Sequence, residues 1–341
     1  MLEALYKTFG WEGIEVIFTL NGAAIAIYNA SKVNGRWYAL PHSDSFGFHS
    51  VDSQQSMIDL INRILKSEAL YKDIRGVESR QIELTDEVLT GEFVKSPAVD
   101  KIGIRSRVPL LPYHEPEKIV SVIDLGEESN ESPVSRRDLL FKSLSSNVRR
   151  KINKAGKNGI VIKDGGLELL DDFYSVYRKT IHRHGSFGLP KVLFRNMLTH
   201  SETTAGPAAR IFVAYNQSVI GSALLLTQTN FSENNAFATL PEYNHLYTAY
   251  ALHMAMMDYA IKCGSRAYSP GRSTPGSGVH KFKKQFGGKE YPLFYCSNTN
   301  PAKSFIPLKF PLKRRLIQQF IRLLPQSLVE IFDAFVSGKI F

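Results

Sequence analysis

The sequence predicts an α+β fold in which mixed sheets are flanked by helices, divided over two domains. Three observations carry this. The chain has 341 residues, more than the roughly 100–200 residues over which one hydrophobic core usually extends. Extended apolar runs are joined by tight-turn dipeptides, Asn21-Gly22 in the first half and Asn216-Gln217 in the second, which implies antiparallel hairpins. Amphipathic helical stretches fall among these hairpins without strictly alternating with single strands, which argues against a purely parallel sheet. The element order is similar in the two halves, although no sequence repeat is visible.

The elements follow in order. EVIFTL and AAIAIY flank Asn21-Gly22 and form the opening hairpin. RWYALPHSDSFG reads as a strand running into a turn. From Gln54 to Tyr71, Met57, Ile61, Ile64, Leu65 and Ala69 recur at helical spacing. VESRQIEL is another strand, and the stretch from Ser96 to Glu131 is strand-like in pieces, EKIVSVIDLG most clearly. The polar run GEESNESP then marks a linker.

Beyond it, Ser135-Arg136-Arg137-Asp138 has capping-box spacing and predicts a helix start. Leu139, Leu140, Leu144, Val148, Ile152 and Ala155 give one apolar side, broken near Ser145-Ser146 and ended by Gly159. Leu167, Leu170, Tyr174, Tyr177 and Ile181 predict a helix closed by Gly185, and ARIFVAY with SVIGSALLLTQT predicts the second hairpin. A helix from Thr248 to Lys262 shows Ala249, Leu252, Met256 and Ala260 on one face, and its methionines read as packing. The expected division is residues 1–134, 135–300 and a basic amphipathic segment at 301–341.

Composition narrows the function. Hydrophobic residues make up 43% and charged residues 22% of the chain, the balance of a globular protein. A formal charge of +10 favours phosphates, nucleic acid or anionic membrane as partners. Cys263 and Cys296 are far apart and lie in no CxxC or histidine-rich context, so neither a disulfide framework nor a zinc site is expected. His182 with His184, and His42 with His49, lack the spacing of a metal pair, and no metal is expected. MLEALYKTFGWEGIEV lacks the pattern of a secretory leader and no run reaches about 18 apolar residues, so a cytoplasmic location is expected.

Chemistry concentrates in PGRSTPGSGVHKFKKQFGGKE, Pro270–Glu290, where Arg272, His280, Lys281, Lys283 and Lys284 fall among glycines that permit sharp bends. Such a segment suits an anion, or is a solvated surface loop. Gly271 and Gly276 have phosphate-loop separation, but Ser277-Gly278 replaces the lysine and hydroxyl that nucleotide hydrolysis requires. Neither a GxGxxG after a strand nor a GxSxG occurs, which removes support for hydride transfer and triad hydrolysis. Asp44 in PHSDSFG binds a substrate amine or hydroxyl, or simply forms an Asx turn. The helix SSNVRRKINKAGKNG, with Arg149 and Arg150, either grips phosphates or is a solvated face.

With Pro41, Asp44 and Gly47 in LPHSDSFG, SSNVRRKINKAGKNG, ARIFVAYNQSVIGSALLL and GRSTPGSGVHKFKKQFGG, the chain resembles the FemAB and FemX superfamily over nearly its whole length. The resemblance implies two GNAT-like domains and transfer of an aminoacyl or acyl group to an amine on a cell-wall or envelope precursor. Donors would be aminoacyl-tRNA or acyl-CoA as co-substrates, with no permanently bound cofactor; acceptors would be lipid-linked or nucleotide-linked. The family's Phe-Lys pair corresponds to Phe282 and Lys283, with Lys283 stabilising developing negative charge and Arg272 lining the cleft. Asp44, Ser273, His280, Lys281, Phe282, Arg149 and Arg150 become candidate substrate contacts. The chain departs from the pattern at Ser269-Pro270, where relatives carry an acid and an aromatic, so a base is absent or supplied from elsewhere.

Two other readings stand beside this one, an acyl-CoA-dependent N-acyltransferase on an amino sugar of a surface polysaccharide and a non-catalytic nucleic-acid or membrane-binding relative. TLPEYNHLYTAY has no glycine and no cation where a GNAT enzyme would bind the CoA pyrophosphate, which weighs against acyl-CoA. In the tail, Lys309, Lys313, Arg314 and Arg315 precede Leu316, Ile317, Phe320, Ile321 and Leu324. That segment packs back on the first domain or meets an anionic membrane surface.

Overall fold

The computed structural model describes residues 1–33, 35–39, 48–50, 60, 64–65, 68–85, 102–106, 113–126, 133–203, 208–228, 230–297 and 311–337. Asp44, the His42 and Gly47 positions, Met57, Ile61, most of GEESNESP and Lys309 lie outside them. The chain divides into two compact units, one of residues 1–117, 292–310 and 338–341, the other of residues 118–291 and 311–337. This differs from the expected division at 134/135 and 300/301. The first division point falls within a continuous strand and not in the polar linker.

In the first unit, helix α1 (Leu2–Phe9) ends at Gly10, whose φ of 69° and bond to the Tyr6 carbonyl close it. Strands β1 (Gly13–Leu20) and β2 (Ala23–Val33) form the expected hairpin. Asn21 and Gly22 both have positive φ, 52° and 75°, the backbone that matches strand twist in a two-residue turn. Strands β3 (Arg36–Ala39) and β4 (Phe48–Ser50), helix α2 (Glu68–Tyr71), β5 (Val77–Glu83) and β6 (Ile102–Ser106) follow. β5 lies parallel to β1, and β3 parallel to β6, so the sheet is mixed. Alternation along β1 buries Ile14, Val16 and Phe18 against Tyr28, Trp37, Leu60, Ile64 and Leu65.

The second unit contains β7 (Tyr113–Asp124) from residue 118 onward, α3 (Pro133–Ser143), α4 (Ser146–Lys157), β8 (Val161–Gly165), α5 (Leu170–His184) and α6 (Lys191–Thr203). After these come β9 (Ala208–Asn216), β10 (Ser218–Thr227), β11 (Phe231–Thr239), α7 (Thr248–Lys262), β12 (Ala267–Ser269), β13 (Arg272–Ser273), α8 (Gly278–Lys284) and, up to residue 291, β14 (Lys289–Ser297). Helices α9 (Pro311–Leu323) and α10 (Gln326–Ser337) close the unit.

Its sheet runs β7-β12-β11-β10-β9-β8, antiparallel except for the β11–β12 pair. A parallel step requires a crossover, and α7 supplies it. That helix is consequently buried on more than the one expected face: Tyr250, Leu252, His253, Met254, Met256, Met257, Ala260 and Ile261 are all buried. The capping-box expectation is corrected too, because α3 begins at Pro133 and places Ser135 inside it. The effective cap is Ser145, whose side chain accepts from Val148 N–H at 3.4 Å and starts α4. Helices α1 and α6 and strand β11 have no counterpart in the sequence reading.

Residues 311–337 pack within the second unit, against α5. The Arg178 guanidinium, 1% exposed, pairs with the Asp333 carboxylate, 0% exposed. Asp333 also accepts from Gly188 N–H at 2.9 Å, and His182 Nε2 lies 2.9 Å from the Leu324 carbonyl oxygen. At Gly185, φ 66°, a Cβ would come 2.3 Å from the Gln318 oxygen, so only glycine allows this approach. The buried pair sets the docking. Asp333→Ala should destabilise the unit by about 3–5 kcal/mol in urea unfolding, because it strands a buried guanidinium. The double change Arg178→Met with Asp333→Leu should recover most of that loss, since it removes both charges together.

Candidate active site

The parallel step from β11 through α7 to β12 delivers the chain into the segment that the sequence singled out. Ser269, at the end of β12, is buried, and its Oγ accepts from Gly271 N–H at 3.0 Å. Gly271 has φ 83°. That backbone conformation favours glycine, and a Cβ there would also stand 3.1 Å from the Asn234 carbonyl oxygen, a tight contact. Arg272 and Ser273 then pair with Val120 and Ile119 of β7, which fixes the turn against the sheet.

Helix α8 begins at Ser277, whose Oγ accepts from His280 N–H at 3.2 Å. His280 is engaged at both ring nitrogens: Nδ1 accepts from Gly276 N–H at 2.8 Å, and Nε2 lies 2.6 Å from Glu290 Oε1. Its place is that of a clasp closing the loop between the start of α8 and β14.

Further along the helix, Phe282 and Lys283 are buried in the reverse of the order that their types led one to expect. Phe282 is only partly buried, whereas Lys283 is 8% exposed. Phe282 meets the rings of Tyr250 at 5.0 Å, His253 at 5.5 Å and Phe286 at 5.5 Å. Lys283 turns inward and donates to the Arg272 carbonyl at 2.8 Å. Removing an ammonium from water costs several kcal/mol, so its position is held by the surrounding packing and by that carbonyl.

Behind Lys283 sits His253, 1% exposed, stacked on Phe237 at 4.6 Å and sharing a 2.6 Å hydrogen bond with the Tyr268 hydroxyl. Burial first, and the Lys283 ammonium second, push the His253 pKa down to about 3. Burial also holds the Tyr268 hydroxyl well above its ordinary range. Both groups are neutral near pH 7, so the positive charge here is that of Lys283. A carboxylate is present one strand across: Glu233, 1% exposed, stands in register with Ser269 in the β11–β12 ladder.

Helix α4 is tied to α8 through Lys151, which donates to the Tyr250 hydroxyl at 2.9 Å and to Gln285 Oε1 at 3.2 Å. Its other cations, Arg149, Arg150, Lys154 and Lys157, line an open cleft of about 510 Å³ together with Ser146 and Asn153. Arg150 is exposed and Arg149 half-buried.

Of the expected site residues, Lys283, Phe282, the Arg272 backbone and Ser273 come together. The Arg272 side chain and Lys281 are exposed. Ser273 is 5% exposed and its Oγ has no hydrogen-bond partner among the described residues. Asp44 lies outside the described residues. Among those residues there is no group of three or more His, Cys, Asp or Glu side chains able to hold a metal ion. Sequence reasoning missed His253, Tyr268, Tyr250 and Glu233. A histidine within the apolar run of α7 was the one available signal, and Glu233 needed the strand register.

The neutral, buried His253 makes stability depend on pH. An unfolded histidine binds a proton near pH 6.5 and the native one only near pH 3. Stability due to this group is therefore full above pH 6.5 and falls by about 1.4 kcal/mol per pH unit below it. Urea unfolding at pH 7 and pH 5 should show this slope in the native protein, reduced in His253→Phe.

The FemAB family model matches residues 128–199 and 194–291. No curated protein matches the chain. Among solved structures, FemX is similar at 15% identity, with 93% of each chain covered and a TM-score of 0.59. L-PGS from Bacillus licheniformis is similar at 13% identity over 94% of this chain and 95% of its own, with a TM-score of 0.46. A tandem GNAT protein from the clavulanic acid biosynthesis pathway shows 9% identity over 82% of this chain and 81% of its own, with a TM-score of 0.41. The FemAB match includes the turn at Gly271, Lys283 and the basic helix α4, and the likeness to FemX shows a similar fold over nearly the whole chain.

Proposed function

We propose that the protein is an acyltransferase that forms an amide on a cell-envelope precursor, with Lys283 as the charge that stabilises the transition state. The observation that carries the proposal is the burial of the Lys283 ammonium, 8% exposed, at the Arg272 carbonyl. A fixed cation in a water-poor site stabilises an oxyanion far more than a solvated one does, because no solvent need reorganise as charge develops.

In this reaction the acceptor amine attacks the acyl carbonyl of an ester or thioester donor. Negative charge collects on the carbonyl oxygen, next to Lys283. Collapse of the tetrahedral species breaks the bond to the leaving oxygen or sulfur, which takes up the proton that the amine releases. Glu233 is assigned as the group that accepts that proton first, in place of the acid missing at Ser269-Pro270. No covalent enzyme intermediate is needed, since holding two reactants together can supply about 7–11 kcal/mol.

The donor assigned is an aminoacyl-tRNA. Support comes from the cation-lined cleft beside α4, which fits a sugar-phosphate backbone. The start of α7 supports it as well: Tyr247, at φ 64°, precedes the helix where acyl-CoA users place a glycine-rich pyrophosphate loop. The likeness to the FemAB family supports an envelope precursor, peptide or amino sugar, as acceptor.

Turnover assayed with panels of charged tRNA and acyl-CoA should appear with the former. Lys283→Ala should lower kcat/KM by about 10²–10³, whereas equal turnover would remove Lys283 from the mechanism. Glu233→Gln should lower kcat and flatten the acidic limb of the pH–rate profile, and an unchanged profile would exclude it as base. Saturable turnover with acyl-CoA alone would move the assignment to an N-acyltransferase on an amino sugar.

A further inference from the structure

Helices α9 and α10 each have two apolar sides. One side is internal: Ile321, Val329 and Ser337 are buried, and Asp333 pairs with Arg178. The other faces water. Leu316, Ile317, Phe320 and Leu323 are 59%, 48%, 62% and 84% exposed, and Leu328, Ile331, Phe332 and Phe335 are 44%, 71%, 50% and 60% exposed. Within each helix these positions recur at i, i+3 or i+4, and i+7, so each set forms a continuous stripe. Large apolar side chains concentrated in this way mark an interaction surface, since single exposed ones are ordinary but contiguous ones are not.

Charge decides what covers it. Helix α9 reads PLKRRLIQQFIRL, with Lys313, Arg314, Arg315 and Arg322 and no acidic residue. Arg315 and Arg322 are exposed beside the stripe. Of the two acids in α10, Asp333 is neutralised by Arg178, which leaves Glu330. A second copy of the chain across a two-fold axis would bring these cations onto one another. An anionic lipid surface instead meets both features at once, taking the apolar stripe into its acyl boundary and the guanidinium groups at its headgroups. Among the described residues no helix is long and apolar enough to cross a membrane, so the pair would lie along the surface.

We propose that the exposed face of α9 and α10 docks the second unit on an anionic phospholipid bilayer. The proposal is independent of the acyl-transfer reading, and would bring whatever reaction the unit performs to a lipid-borne partner.

The test is flotation of the full-length chain with vesicles of phosphatidylglycerol and phosphatidylcholine, compared with phosphatidylcholine alone. Binding should require phosphatidylglycerol and weaken with added salt. The double variant Phe320→Glu with Phe335→Glu should lose roughly tenfold or more of the bound fraction, as should Arg315→Glu with Arg322→Glu. Both pairs are exposed, so their urea midpoints should match the native protein and separate docking from folding. Absence of binding to phosphatidylglycerol vesicles, or unchanged binding by the phenylalanine variant, would overturn the proposal. So would light scattering that shows a dimer which the phenylalanine variant dissociates, since the occupant would then be a second copy.

Discussion

The site depends on an ammonium group held away from water. Lys283 donates to the Arg272 carbonyl at 2.8 Å, and the turn that presents this carbonyl depends on Gly271, where a φ of 83° and the 3.1 Å at which a Cβ would stand from the Asn234 carbonyl oxygen disfavour any side chain. Gly271 in turn is held by Ser269 Oγ, and Ser269 by the β11–β12 ladder. Each support restricts the next. The helix carrying Lys283 is fixed by its Ser277 cap, by the His280 clasp to Glu290 and by the aromatic contacts of Phe282 and Phe286. A cation arranged in this way does not have to be moved or desolvated when negative charge appears beside it, which is the condition for electrostatic stabilisation to act on a rate.

The surrounding neutrality matters as much as the charge. His253 and Tyr268 could each have ionised, yet burial keeps the histidine deprotonated and the tyrosine protonated. The site therefore contains polar groups that shape it without competing with Lys283 for an incoming anion. On the other side of α8, Lys151 bridges Tyr250 and Gln285, so the helix carrying the basic cleft is joined mechanically to the helix carrying the buried lysine. The cleft lined by Arg149, Arg150, Lys154 and Lys157 is thus connected to the buried lysine through three side chains.

Much of the fold was legible because the signals were local. The paired positive φ angles of Asn21-Gly22, the ends of helices at Gly159 and Gly185, and the break at Ser145 are consequences of single residues. Helix α7 was legible in extent but not in burial, because its crossover role buries more than one face. Strand β11 escaped notice since FSENNAFAT mixes polar and apolar residues that only the sheet pairing explains. Within the site, the loop composition named Arg272, His280, Lys281, Lys283 and Lys284 alike, and only the family resemblance set Lys283 apart. Glu233 was not legible, because its place opposite Ser269 is a matter of register and no spacing along the chain encodes it. Lys283 is more buried than the neighbouring Phe282 although hydrophobicity ranks them the other way, since the carbonyl of Arg272 accepts from its ammonium.

The central claim is that the Lys283 ammonium supplies the stabilising charge. The most direct measurement is the single-turnover rate of Lys283→Ala with and without added ethylammonium, an ammonium one carbon shorter than the group the truncation removes. The account predicts a slow reaction partly restored by ethylammonium in a saturable way. A variant reacting as fast as the native protein would contradict it, as would a slow, correctly folded variant on which ethylammonium has no effect.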